Sequence, residues 1–184
     1  MFRPGVKTDG LACVIRACGE LFQAGQNVYL VIAGDGKEKS RLMRLAETHL
    51  PGRVRFVGKV SRSEMYRFYS AGDVFAFPGI RESLGMVFLE AQACGVPVVA
   101  FANGGIPEVV RDQETGFLVP LYDTEQFVKA IGTLLNDRDL RRNMGESAKS
   151  HVWKNHDINK NYRKMEKVLK EIVRSGDIPY SENR

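Results

Sequence analysis

The chain has 184 residues, 43% of them apolar and 27% charged, with a formal net charge of +5. That length suits one α/β domain with a packed core, and the balance is that of a soluble globular protein. No apolar run approaches the roughly 20 residues that span a bilayer, which excludes a membrane-spanning class, and three scattered cysteines suit a reducing cytoplasm.

Strand and helix signals then alternate. Residues 28–33 (Val-Tyr-Leu-Val-Ile-Ala) form a continuous apolar run, the pattern of a strand buried on both faces. Further strand signals cover 53–57, 73–77, 96–101 and 116–119. Helices are predicted at 11–24, 37–49, 61–70, 85–94 and 106–111. Ser61-Arg-Ser-Glu64 reads as a capping box opening the third of these. Strands alternating with crossover helices imply a doubly wound, Rossmann-like parallel sheet. Ligands bind such sheets outside the carboxyl ends of the strands, so the chemistry is sought in the loops that leave them.

After Pro120 only helices are expected, at 124–135, 139–151 and 158–174, forming a helical C-terminal extension. In the last, Ile158, Tyr162, Met165, Leu169 and Ile172 recur at helical spacing, an apolar face explained most simply by packing. Lys160, Arg163, Lys164, Lys167 and Lys170 lie mostly off that face. Residues 137–174 hold eleven Lys/Arg against six Asp/Glu, which equals the whole +5 of the chain. A solvated helical surface accounts for this excess, and peripheral contact with anionic lipid is the further reading it allows. No aromatic-rich basic groove speaks for nucleic acid. A single domain is expected over residues 1–174, with a flexible polar tail at 175–184.

Four loops carry candidate chemistry. Ala33-Gly-Asp-Gly36 permits close backbone approach at Gly34, but Lys39 stands where a dinucleotide fingerprint needs a third glycine. Val57-Gly-Lys-Val60 offers the backbone of Val57, Gly58, Lys59 and Val60 to a base edge, or is a plain βα turn. Pro78 to Gly95 is the most informative stretch. Glu82 sits in its loop, and the amides of Gly85, Met86 and Val87 open a helix, a ready anion site. Glu90 follows in an apolar helix, where an unpaired carboxylate is expensive. Its partner is either a ribose hydroxyl pair or a nearby Arg or Lys, and composition alone leaves the two even. Finally, Gly104 and Gly105 let a backbone close on a ligand, or form a turn. Arg3 and Lys7 can neutralise a diphosphate or be ordinary surface cations. Asp137-Arg-Asp139 resembles a metal-holding acidic pair, but helix capping explains it better. His49, His151 and His156 have no ligand-like neighbours, so no metal and no cofactor is expected.

The spacing from Glu82 to Glu90, continued by Ala91-Gln-Ala-Cys-Gly-Val-Pro-Val98, resembles the C-terminal domain of the retaining GT-B glycosyltransferases of group 1, or family four. Ala33-Gly-Asp-Gly36, Ala71-Gly-Asp73, Gly104-Gly-Ile-Pro-Glu108, Thr115-Gly-Phe-Leu-Val119 and Asn143-Met-Gly145 agree with it in order. Ser83-Leu84 stands where Gly-Phe is common, and the Arg3–Lys7 interval differs slightly from the usual one.

The resemblance implies one half of a GT-B fold, with an acceptor-binding N-terminal domain not included. It implies that Glu82 contacts donor sugar hydroxyls beside the amides of Ser83, Leu84 and Gly85. Arg3, Lys7 and the Met86 and Val87 amides would then hold the diphosphate and Glu90 the ribose, with Gly104 and Gly105 lining the cleft. The function implied is metal-independent hexosyl transfer from a nucleotide sugar. The rival readings are a stand-alone nucleotide-sugar-binding module, a GT-B sugar-nucleotide epimerase and, more weakly, a nicotinamide-dependent dehydrogenase.

Overall fold

The computed structural model describes residues 6–80 and 82–175. Its elements run α1 (Val6–Gln23), β1 (Leu30–Ala33), α2 (Lys39–His49), β2 (Val54–Gly58), α3 (Met65–Ser70), β3 (Phe75–Ala76) and α4 (Met86–Ala93). There follow β4 (Val98–Phe101), α5 (Ile106–Val109), β5 (Gly116–Val119), α6 (Thr124–Asn136), α7 (Arg138–Asn155) and α8 (Ile158–Ser175).

All strand pairs are parallel, as the alternation of strands and helices predicts. They form two sheets, β1-β2 and β3-β4-β5, where one was expected. The doubly wound order 3-2-1-4-5-6 accounts for the break. On that scheme β2, β1, β3, β4 and β5 take positions 3, 2, 4, 5 and 6, and position 1 falls between β1 and β3. Among the described residues no strand lies there. The Leu30 and Gly34 amides donate to the Arg53 and Gly58 carbonyls on the β2 side, and those of Phe75 and Phe77 to the Pro97 and Val99 carbonyls on the β4 side. Strand alternation therefore turns the amides of Val31, Ala33, Val74 and Ala76 toward the break.

Core packing follows the pleat. In β4, Val99 and Phe101 enter a cluster with Val14, Cys18 and Leu21 of α1, Phe127 and Leu134 of α6 and Met144 of α7. Val98 and Ala100 face the opposite cluster, made by Tyr69 of α3, Phe88 and Leu89 of α4 and Ile106 and Val109 of α5. The central strand is thus buried on both faces. β1 is not. Ile32 packs against α1 and α2 with Ile15 and Leu42, but Tyr29 and Val31 remain exposed. The expectation of burial on both faces fails here because, among the described residues, helices cover only one side of the β1-β2 pair.

Two local expectations also change. Helix α3 starts at Met65, and the Ser61 hydroxyl lies 3.3 Å from a Glu64 carboxylate oxygen, so the two capping partners meet each other. Helix α8 keeps its amphipathic pattern, yet none of its residues is buried. Ile158 is 79% exposed and Val173 71%, so the expected packing of this face is absent among the described residues. The expected tail beyond Ser175 lies outside the described residues.

At the α7–α8 junction, the Asn155 side-chain amide donates to His151 Nδ1 at 3.0 Å. That leaves the proton of a neutral His151 on Nε2, which lies 3.3 Å from Nε2 of His156. Burial, then the Arg111 charge, push both imidazoles below their ordinary pKa.

One outcome is expected. The lowered histidine pKa values mean that the unfolded chain binds more protons as pH falls through about 6.5, so stability drops on acidification. Melting at about pH 5 should therefore come earlier than at about pH 7.5. A His151→Gln, His156→Gln double variant should lose part of that difference, and an unchanged pH dependence would contradict the assignment.

Candidate functional site

Parallel strands bring their carboxyl ends to one edge, and four turns leave there. Two belong to the β1-β2 pair. The Gly34 amide donates to the Gly58 carbonyl at 2.7 Å, tying the turn at 33–36 to the turn at 57–60. The Asp35 carboxylate accepts from the Gly36 amide at 2.8 Å and so rigidifies the first turn. Lys59 is exposed, whereas Val57, Gly58 and Val60 are half-buried, so this turn presents mainly backbone.

The other two turns, at 78–85 and 102–105, are joined more tightly. The Gly105 amide donates to the Ser83 carbonyl at 2.9 Å, and the Asn103 side chain donates to the Gly79 carbonyl at 3.2 Å. A β-carbon on Gly104 would press on the Glu82 carbonyl oxygen, and one on Gly105 would overlap that of Ser83. These glycines therefore seat the backbone that carries Glu82. Glu82 itself is half-buried, while Ser83 and Leu84 are exposed at the rim.

Helix α4 starts immediately after Gly85, which has φ 78° and ψ 64°, a left-handed conformation that favours glycine. A side chain at Gly85 would also strike the ring of Phe88, and one at Gly79 would strike Ile106 and crowd the same ring. Phe88 is fully buried, with the rings of Phe75 and Phe77 at 5.9 Å and 6.2 Å. By helix geometry the first-turn amides of Met86 and Val87 have no acceptor within the helix. A helix start of this kind, with the positive end of the helix dipole beside it, is chemically suited to an anion.

Glu90 lies one turn further along α4. The Tyr69 hydroxyl donates to Glu90 Oε2 at 3.0 Å. Among the described residues this phenol, rather than Arg or Lys, is the hydrogen-bond partner. Burial, then the Glu90 charge and hydrogen bond, push the Tyr69 pKa well above its ordinary value, so the phenol stays a donor throughout the physiological range. Sequence reading missed Tyr69 because 21 residues separate the pair. It also missed Gln92, which is fully buried and donates to the Phe88 and Val109 carbonyls, fastening α4 to α5.

The remaining candidates separate cleanly. Arg3 lies outside the described residues, and Lys7 is placed by its backbone alone in the first turn of α1. Asp137 accepts from the Leu140 amide at 2.8 Å and caps α7, as expected, and Asp139 pairs with Arg142. Among the described residues no three His, Cys, Asp or Glu side chains group as a metal site. A hollow of about 570 Å³ lined by Arg111, Glu146, His151 and Lys154 shares no residue with the four turns.

The family model for glycosyl transferases group 1 matches residues 5–151. The D-inositol 3-phosphate glycosyltransferase of Corynebacterium jeikeium is 41% identical over 156 residues, covering 80% of this chain and 37% of that protein. Sucrose-phosphate synthase from Thermosynechococcus elongatus superposes with a TM-score of 0.79 at 30% identity, covering 90% of this chain and 43% of that one. The C-terminal domain of a group 1 glycosyl transferase family protein from Francisella tularensis gives a TM-score of 0.72 at 24% identity, covering 84% of this chain and 83% of that one. The chain thus spans about two fifths of the length of the first two proteins and most of the third.

The contact between Gly105 and Ser83 generates a direct test. Gly105→Ala should displace the segment at 82–84 and destabilise the chain by about 1–3 kcal/mol, read as a lower urea midpoint. An unchanged midpoint with unshifted Glu82 and Ser83 amide resonances would contradict the seating role.

Proposed function

The chain belongs to the group 1 glycosyl transferases, and on that premise we propose that it forms the donor-binding half of a retaining, metal-independent glycosyltransferase. The full enzyme would transfer a hexosyl group from a nucleotide-diphosphate sugar to an acceptor held by a second domain. The observation that carries the reading is the segment from Gly79 to Glu90. It places one carboxylate just before a helix start with two donors and a second carboxylate one turn into that helix, at the edge where parallel sheets bind ligands.

In this reading Glu82 contacts hydroxyls of the donor sugar beside the amides of Ser83 to Gly85. The Met86 and Val87 amides, with Arg3 and Lys7, hold the diphosphate, and Glu90 holds the ribose. The turn at 57–60 borders the base. Cleavage of the glycosyl–phosphate bond moves an electron pair onto the diphosphate leaving group. Donors already aimed at that oxygen stabilise the developing charge without reorganising, and removal of one such donor typically costs about 10²–10³ in rate. Diphosphate charge is met by amides and cations in this scheme, so no metal is assigned. The proposed location is cytoplasmic, with peripheral membrane contact as an option for α8. Among the described residues no helix is long and apolar enough to cross a membrane.

Titration of the chain with UDP, GDP, ADP and their sugar conjugates, followed by amide NMR shifts, tests the reading. Saturable binding to one nucleotide is expected, with the largest shifts at Met86 and Val87. Glu90→Ala should weaken it about tenfold or more, the scale of a lost hydrogen bond to a charged group. A folded chain that saturates with none of them would reject the donor site.

A further inference from the structure

We propose that Tyr69 is the positioning residue that gives the donor site its preference for a ribose. The inference rests on the reading of Glu90 as the ribose carboxylate and adds the group that holds it. A glutamate side chain has three rotatable bonds, and fixing them on a ligand costs rotamer entropy. Here that freedom is removed before any ligand arrives. The Tyr69 hydroxyl holds Oε2 at 3.0 Å, and its ring is only 8% exposed. The ring meets Phe75 edge-on at 5.5 Å, and Phe75 meets Phe88 of α4 edge-on at 5.9 Å. Phenol and carboxylate are therefore fixed to one aromatic stack, and the Glu90 backbone belongs to the same helix as Phe88.

The geometry divides the carboxylate. Oε2 is directed to Tyr69, which leaves the lone pairs of Oε1 to accept from ribose hydroxyls. Tyr69 also lies in the last turn of the short helix that follows the turn at 57–60, so α3 links the base-bordering turn to the ribose carboxylate. Tyr69 touches no ligand in this scheme and acts through Glu90.

The test compares wild type, Tyr69→Phe, Glu90→Gln and the double variant, each titrated with UDP, GDP, ADP and their 2′,3′-dideoxy counterparts. With the ribonucleotide that binds wild type best, Tyr69→Phe should weaken affinity about tenfold. Its affinity for the dideoxy counterpart should stay at the wild-type value. Glu90→Gln should abolish most of the ribose preference, and adding Tyr69→Phe to it should produce little further loss. Equal weakening of both nucleotides by Tyr69→Phe would mark the phenol as merely structural and overturn the proposal, as would unchanged ribonucleotide affinity. A wild-type chain that does not distinguish ribose from dideoxyribose, or that binds no nucleotide while folded, would instead remove the donor-site reading and the Tyr69 assignment with it.

Discussion

Phe88 admits no side chain at Gly85 and, together with Ile106, leaves no room for one at Gly79, and the candidate site is built on that exclusion. Its ring is fully buried beneath the turn at 78–85, where it supports the bend that carries Glu82 and the left-handed residue that starts α4. The same ring belongs to the aromatic stack that reaches Tyr69 through Phe75. One apolar side chain thus positions a carboxylate, a pair of helix-start donors and the phenol that holds a second carboxylate. Replacing such a ring by a methyl group typically costs about 3–5 kcal/mol. Here the loss would fall on the geometry of the site as much as on the core.

The fold was legible where a local pattern carries its own physics. The strand at Gly116–Val119 and the helix starts at Thr124 and Ile158 were all recognisable from periodicity and turn residues. Less legible was anything that depends on what covers an element. Residues 28–33 read as doubly buried because they are apolar throughout, but exposure of Tyr29 and Val31 depends on neighbours that the segment does not encode. Ser61 and Glu64 had the right spacing for a capping box, yet the helix begins later and the two side chains find each other.

The site divides in the same way. Glycine positions and the Glu82–Glu90 interval are local, and they were read directly. The roles of Gly104 and Gly105 were read more coarsely, because their contacts with Glu82 and Ser83 cross more than twenty residues of chain. Glu90 announced that it needed a partner, since a carboxylate in an apolar helix is costly. Only the fold could name that partner, because Tyr69 stands on a different helix.

Helix α8 gives the molecule an uncommon surface chemistry. One side of it shows Ile158, Met165, Leu169 and Val173 to solvent, while Lys160, Arg163, Lys164, Lys167, Lys170 and Arg174 outnumber Glu166 and Glu171 over the rest. In colloid terms the helix is a cationic surfactant attached to a folded head. Mutual repulsion keeps such helices apart at low ionic strength, and added salt shortens the range of that repulsion to about 10 Å at 0.1 M. Salt therefore sets how closely two copies of this helix can approach each other.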